Sequence, residues 1–593
     1  MVLDIVRRAI GMPTATSPIG FRVHPNRSLV KLNRRDHFRV RDAFEGVVIM
    51  GGTGSGKSSG SGEALATAYL RAGWGGMVMC AKPDEASRWQ EYARKAGRAA
   101  HVIHFHPESQ WNFNFGDYEA HRPDGAGGDT FNLVNLYDQI VEFSNLSEGK
   151  GGSSDNPFWP RSRRDLLSNT IEPLYAAEGT LRIDDIIRFV GSTPRSRQDA
   201  FNDEWKASSY AYQVLCQAMR APNGRPVPEH AMRASANYLF STFADLDPRT
   251  RSNVVADLTG TLAPFLRGML RERFCTSTNF IPELTHEGAI IIVDFPVKLW
   301  GAAGVVAANI MKYQWQRATE RRVIEKNSRP VFLWADECQF FLTDYDAEFQ
   351  STARSARAAT VYITQNLPTF QSRLKGSDPR ATAESLLGNF QTKIFHANTD
   401  IATNQFAADM IGKDLQQRHS GNWSQNSGQQ SSENWGQNWS EQSGVSSGES
   451  WGSNWGSQIG ESQGRNWGTN SSFGSSSGNG SSSSSSSFGS SSGGSSGTSR
   501  SWSRGGSYGV NSGTSHSVSS GGNYSHGMSN SHGSSSGGGW AEQMDYVVQP
   551  RVFAAELRKG GKADRKLVDG VMVQGGRRFA RTGAHWLPCT FKQ

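Results

Sequence analysis

Eight residues near the start of the chain have the types and spacing to hold the phosphates of a nucleotide. Gly51, Gly52, Thr53, Gly54, Ser55, Gly56, Lys57 and Ser58 fit the pattern GxxxxGK[ST] at every fixed position. Glycines let backbone N–H groups curl around phosphate oxygens without side-chain clash. The N-terminus of the helix that follows adds the positive end of its dipole, and Ser59 is counted with the phosphate-binding residues. On this pattern Lys57 reaches the β- and γ-phosphates of ATP, and the Ser58 hydroxyl ligates Mg2+.

A second set lies far downstream. The run Val331 to Ala335 is an apolar strand that ends in Asp336 and Glu337. Asp336 fits a ligand to Mg2+ or its water, and Glu337 fits a general base that polarises the attacking water. The strand end at Asp294 competes for the first role. Gln365 closes another strand, Thr360 to Thr364, where an amide either contacts the γ-phosphate and orients water or only caps the strand end. Arg354 and Arg357 stand one helical turn apart just upstream. Either supplies a cation across a subunit interface, stabilising transition-state charge, or lies on a surface that faces solvent or DNA. Together these motifs predict an ATPase.

These residues need strand ends and helix starts to hold them. Gly46 to Gly51 is a short apolar run ending in glycine, the mark of a buried parallel strand. A helix through Glu63, Leu65 and Leu70 follows the glycine-rich loop. Strands are expected at Met77–Cys80, His101–Phe105, Ala289–Asp294, Val331–Asp336, Thr360–Thr364 and Thr392–His396, with a helix from Val305 to Arg322. Strand and helix in alternation predict a doubly wound α/β fold. Helical periodicity dominates from about residue 130 to 280, so an inserted, mainly helical subdomain is expected between the two motif sets.

The expected organisation is an N-terminal segment (1–36), a first core part with the phosphate loop (37–129) and the helical subdomain (130–280). A second core part with the acidic strand (281–413), a low-complexity insertion (414–539) and a C-terminal return to the core (540–593) complete it. The insertion is almost only Ser, Gly, Asn, Gln and Trp. Tryptophans recur in it at a 16-residue spacing, as in Trp435, Trp451 and Trp467, and again in Trp423, Trp439 and Trp455. Such sequence lacks the apolar mass to offset its ordering entropy, so disorder is expected. Two readings of the tryptophans stay open: a flexible insertion, or contacts to a partner, a base or each other. In the return, Val547–Arg551 and Leu567–Phe579 are expected as strands.

The net charge of +8 and a pI near 9.2 suit a polyanionic partner, or simply a solvated surface. Five cysteines form no CxxC pair, so neither a zinc site nor a disulfide framework is expected. Cys80 and Cys338 sit in apolar runs and are expected as buried small hydrophobes, which fits a reducing cytoplasm. No apolar run approaches the ~18 residues needed to span a bilayer. Residues 1–10 alone have an amphipathic pattern, read as a packing segment or a membrane-surface one.

With these motifs in place the chain resembles the conjugative coupling proteins of type IV secretion, the TraG/TraD-like branch of the HerA–FtsK ATPases. The likeness rests on the loop 51–58, on Asn156-Pro157-Phe158-Trp159 and on Thr250-Arg251-Ser252-Asn253-Val254. It rests above all on Trp334 through Phe340, Ala353 through Arg357, Ile363 through Asn366 and Gly388 through Phe395. It covers most of residues 40–413 and returns at 541–593.

The resemblance implies a RecA-like P-loop NTPase core with a mainly parallel sheet and an inserted all-α subdomain that recognises cargo. It implies a homo-hexamer, with ATP and Mg2+ as cofactors. Lys57, Ser58, Asp336, Glu337 and Gln365 take the nucleotide roles, and Arg354 the inter-subunit arginine. The implied cargo is DNA bound to a relaxase, or effector proteins, delivered to type IV secretion channel components at the bacterial inner membrane. A nucleotide-gated assembly adaptor with little turnover is the alternative from another class. Two departures stand out. The family's Asp-x-Lys-Gly-Glu pattern appears here as Cys80-Ala81-Lys82-Pro83-Asp84-Glu85, and the family's transmembrane helices have no counterpart, so a peripheral location is expected.

Overall fold

The computed structural model describes the backbone of residues 24–147, 158–220, 228–372, 374, 379–433 and 526–593, with strand segments between 447 and 514; side chains of 417–541 are not described. The patterned segment 1–10 and residues Asn156 and Pro157 lie outside the described residues. The chain divides into two units: Met1–Ala407 with Pro550–Gln593, and Ala408–Gln549.

The first unit is built on a nine-stranded sheet. Its strands are β1 (Val47–Met50), β2 (Gly75–Met79), β3 (Val102–Phe105), β4 (Ile290–Val293), β5 (Val331–Ala335), β6 (Ala358–Thr364), β7 (Thr392–Phe395), β8 (Leu567–Gln574) and β9 (Trp586–Lys592). The order across the sheet is β9-β8-β7-β1-β6-β5-β2-β4-β3. The seven strands β1 to β7 run parallel, and β8 and β9 add an antiparallel edge. This is the expected α/β core with a mainly parallel sheet. Strands β1, β2, β4, β5, β6 and β7 are buried at every position, which is why they read as unbroken apolar runs rather than alternating ones.

Helix α1 (Glu63–Arg71) continues from the glycine-rich loop, and α2 (Glu85–Lys95) follows β2. Trp74, Tyr69, Phe332, Trp89 and Trp334 pack in one aromatic seam between these helices and the sheet. Helix α3 (Val297–Glu320) begins well before the expected Val305, because Gly301 bends it at φ 53° and the apolar period is clean only beyond the bend. Between β3 and β4 the described residues hold helices and no strand. The longest are Thr130–Ser147, Phe158–Glu178 and Pro248–Leu262.

The C-terminal return differs from expectation in two elements: the strand expected over Leu567–Phe579 ends at Gln574, where the chain turns at Gly575 and Gly576, and the first expected strand does not form. Val547–Arg551 is not a strand; Pro550 has no N–H for a ladder, and the chain enters a helical turn at Val552–Glu556 instead. Leu567–Gln574 does join the sheet, paired to β7, and β9 extends the edge.

In the second unit the backbone runs in antiparallel pairs, Lys413–Glu433 against His526–Tyr546 and Ser447–Ser462 against Ser499–Thr514. The expected disorder of 414–539 and the roles of its tryptophans concern side chains outside the described residues.

Candidate nucleotide site

The parallel strands end in register on one edge of the sheet. Met50 of β1 lies beside Thr364 of β6, Ala335 of β5 lies beside Tyr362 of β6, and Met79 of β2 lies beside Ala335. The next residue in each strand is therefore delivered to one place: Gly51, Gln365, Asp336 and Cys80. Strand β6 sits between β1 and β5, so Gln365 stands between the phosphate loop and the acidic pair.

The loop from Gly51 to Ser58 is shaped by its glycines. Gly54 and Gly56 take φ of 72° and 79°, where a side chain is strained. A Cβ on Gly51 would meet Ser55 Oγ at 2.5 Å and His396 Cβ at 2.8 Å. The first helical turn is wide, with Gly62 N–H donating to Lys57 O at 2.9 Å. Lys57 is buried, and burial lowers its pKa against the charges of Asp336 and Glu337, while Lys82 adds to the lowering. The Ser58 hydroxyl donates to Asp336 Oδ2 at 2.7 Å.

Glu337 is held by unusual backbone. It takes φ 51° and ψ 48°, a left-handed conformation costing a side-chain-bearing residue about 1–2 kcal/mol. Such strain persists where the surroundings over-determine it. Here four hydrogen bonds do so. Glu337 Oε1 accepts from Lys82 Nζ at 2.6 Å and Gln365 Nε2 at 3.2 Å. Its Oε2 accepts from Gln339 Nε2 at 2.8 Å and Gln365 Nε2 at 3.3 Å. Burial works against the carboxylate, but the Lys82 and Gln339 hydrogen bonds and the Lys82 charge outweigh it and hold the pKa below its usual range.

Mg2+ and a nucleotide fit this chemistry. Ser58 and Asp336 place two oxygens, the type a hard cation takes, within hydrogen-bond distance of each other. The Ser55 hydroxyl is buried with no hydrogen-bond partner in the described structure. The residues that would hold the phosphates are Gly51 to Ser59.

Other expected residues fall elsewhere. Asp294, the competitor of Asp336, ends β4, two strands away from β5, and bonds His104 Nε2 at 2.8 Å. Arg354 is exposed at the opposite edge of the sheet, before β6, with its guanidinium 3.6 Å from Glu45. Arg357 donates to Ser328 O at 3.0 Å. Neither joins the site within one chain. Cys80 and Cys338 are buried and unpaired, as expected.

Sequence reasoning missed three contributors. Lys82 stands out in the sequence only as a remnant of the family pattern, yet it contacts Glu337. Buried His396 follows β7, with Nε2 2.7 Å from Ser61 Oγ and Nδ1 2.7 Å from Asp569 O. The C-terminal return lies against the phosphate loop itself: a Cβ on Gly56 would meet Val568 Cγ2 at 2.6 Å, and Gln593 Nε2 donates to Ser59 Oγ at 2.6 Å. Among the described residues no helix is long and apolar enough to cross a membrane, and no cluster of His, Cys, Asp and Glu forms a separate metal site.

Comparison with known proteins gives one family match. A family model described as the TraM recognition site of TraD and TraG matches residues 330–447. No curated protein matches the chain. Among solved structures, the plasmid coupling protein TrwB in complex with the GTP analogue GDPNP is 15% identical, covering 66% of this chain and 80% of that one, at a TM-score of 0.44. TrwB with the ATP analogue ADPNP is 17% identical, covering 70% and 82%, at 0.43. VirB4 of Thermoanaerobacter pseudethanolicus is 13% identical, covering 67% and 94%, at 0.37. The segment that holds Asp336, Glu337, Arg354 and Gln365 thus lies within a TraD and TraG family match, and the chain resembles the TraG/TraD-like coupling proteins, as its motifs led us to expect.

Proposed function

We propose that this chain is an ATP-hydrolysing coupling protein that recruits DNA, as a relaxase–DNA complex, and drives its transfer through a type IV secretion channel. The observation that carries the catalytic half is the convergence of Lys57, Ser58, Asp336, Glu337 and Gln365 on one edge of the sheet. The cargo half is supported by the resemblance and by the basic charge balance.

In this mechanism the loop from Gly51 to Ser59 cradles the phosphates with backbone N–H groups. Lys57 neutralises charge on the β- and γ-phosphates. Ser58 and Asp336 would hold Mg2+, which would supply positive charge beside the phosphate oxygens. Glu337 accepts the proton of the attacking water, and Gln365 orients that water beside the γ-phosphate. Arg354, which is exposed and outside its own site, supplies a cation to the site of a neighbouring subunit in a hexameric ring. Docking at the inner membrane is through the channel components.

The test is ATP turnover with and without single- and double-stranded DNA at low salt, where phosphate contacts are strongest, alongside the mass of the assembly. Turnover stimulated by DNA in an oligomer supports the proposal. Turnover that DNA leaves unchanged sinks the DNA-motor half, and crosslinking of residues 130–280 to protein cargo then becomes the decisive assay.

A further inference from the structure

The contact between Lys82 and Glu337 opposes the role just given to Glu337. A general base needs a free lone pair facing the water it deprotonates. Both oxygens of Glu337 are taken, and the residue is 2% exposed. Of the three side chains that occupy it, Gln339 is itself fixed, since its Oε1 accepts from the Thr364 hydroxyl at 3.0 Å. Gln365 makes two longer contacts. Lys82 makes the shortest contact and is the freest: its side chain is 39% exposed, on the loop between β2 and α2, at the end of a four-carbon stem.

Charge decides where Lys82 goes. In the structure Lys57 and Lys82 face Asp336 and Glu337, with the buried Glu85 carboxyl also in the field of Lys82. Lys82 is close enough to Lys57 to disfavour its charge, so its ammonium already lies in the field of the phosphate loop. An arriving ATP adds about four negative charges and its Mg2+ two positive ones, leaving the site short of positive charge; ADP brings one fewer negative charge and no terminal phosphoryl group. Charge-assisted hydrogen bonds to phosphate are strong, and the flexible stem lets the ammonium change partner without backbone movement.

We propose that Lys82 is a latch that senses the γ-phosphate. Before ATP binds it covers Glu337 Oε1; when ATP binds it moves to the terminal phosphate and uncovers the base. No proton moves in this step: Lys82 stays an ammonium and Glu337 a carboxylate, and only the pairing changes. With ADP the latch stays closed. The inference rests on the ATPase reading above, and it makes the loop that departs from the family pattern a working part of the site.

The experiment compares binding of a non-hydrolysable ATP analogue and of ADP, both with Mg2+, to the full-length protein and to its Lys82→Gln and Lys82→Arg variants. Expected for Lys82→Gln is a roughly tenfold or greater loss of affinity for the analogue and little change for ADP. Lys82→Arg retains most of the discrimination. A lysine that only braces Glu337 would leave the ratio of the two affinities untouched. An unchanged ratio in Lys82→Gln, in a wild-type protein that binds both nucleotides, overturns the latch and leaves the ATPase reading standing. A wild-type protein that binds neither nucleotide overturns both.

Discussion

Acid should strip stability from this fold through one histidine. His396 is 1% exposed and packed between the phosphate-loop helix and β8. Its Nδ1 faces the Asp569 carbonyl and so must donate; its Nε2 is then free to accept from the Ser61 hydroxyl. The neutral ring satisfies both contacts. Burial pushes the pKa from 6.5 down to about 4. An unfolded chain takes up a proton at this residue below about pH 6.5, whereas the folded chain resists until about pH 4. Between those values the unfolded state binds more protons, so the stability is whole above pH 6.5 and drains away as the pH falls toward 4. Linkage puts the loss between pH 8 and pH 5 at about 2 kcal/mol, and the full loss at about 3 kcal/mol. For the roughly 400 described residues of the first unit, 1 kcal/mol corresponds to about one degree of melting temperature. The assay is thermal unfolding of the wild type and His396→Asn across pH 8 to 5 at constant ionic strength. Whatever the variant costs at pH 8, its melting temperature should fall about 2 °C less over this range. Parallel curves would refute the assignment, because every other titrating group is shared.

Three further outcomes follow from the described contacts. Glu337→Gln should keep nucleotide binding but lose about 10²- to 10⁴-fold in turnover, measured by phosphate release; near-wild-type turnover would remove Glu337 as the base. Asp346→Ala should cost about 3–5 kcal/mol, because Lys312, buried and bonded to Asp346 at 2.6 Å, is left as an uncompensated charge. Lys312→Met should cost less, since Asp346 keeps Thr343, Gln316 and Tyr362 as donors; equal shifts in the two melting curves would contradict this ordering. Deleting 415–538 should leave ATP turnover nearly intact, because Val547 N–H already donates to Gly412 O at 3.1 Å and the ends of the tract meet; loss of nucleotide binding would show that the tract packs into the core.

The core strands were legible because parallel strands buried on both faces must be continuous apolar runs. Val47–Met50 and Val331–Ala335 are such runs, and each hands its next residue to the site. The glycines at 54 and 56 were legible for a related reason, since only glycine takes positive φ there without strain. What the residues did not announce is the lateral order of the strands. That β6 separates β1 from β5, which sets Gln365 between loop and acid, depends on packing across the whole sheet. The Lys82–Glu337 pair was hidden likewise, because it exists only once β2 lies against β5. Val547–Arg551 misled because apolar valines outweighed Pro550, whose missing N–H marks the start of a helical turn.

The contacts of Val568 and Gln593 on the phosphate loop bear on how the protein matures. A ribosome adding about 5–20 residues per second needs roughly 25 to 100 seconds to pass from Gly56 to Val568, with the whole Trp-rich tract made in between. For the last part of that interval, roughly 9 to 35 seconds between Phe395 and Leu567, β7 is an open sheet edge with β8 still to come, a template for pairing with another chain. The nascent nucleotide loop also lacks the wall that Val568 provides. A nascent chain paused inside the tract should therefore be recognisable by weak nucleotide retention and by chaperone capture at Thr392–Phe395, and both should disappear on release of the full-length chain.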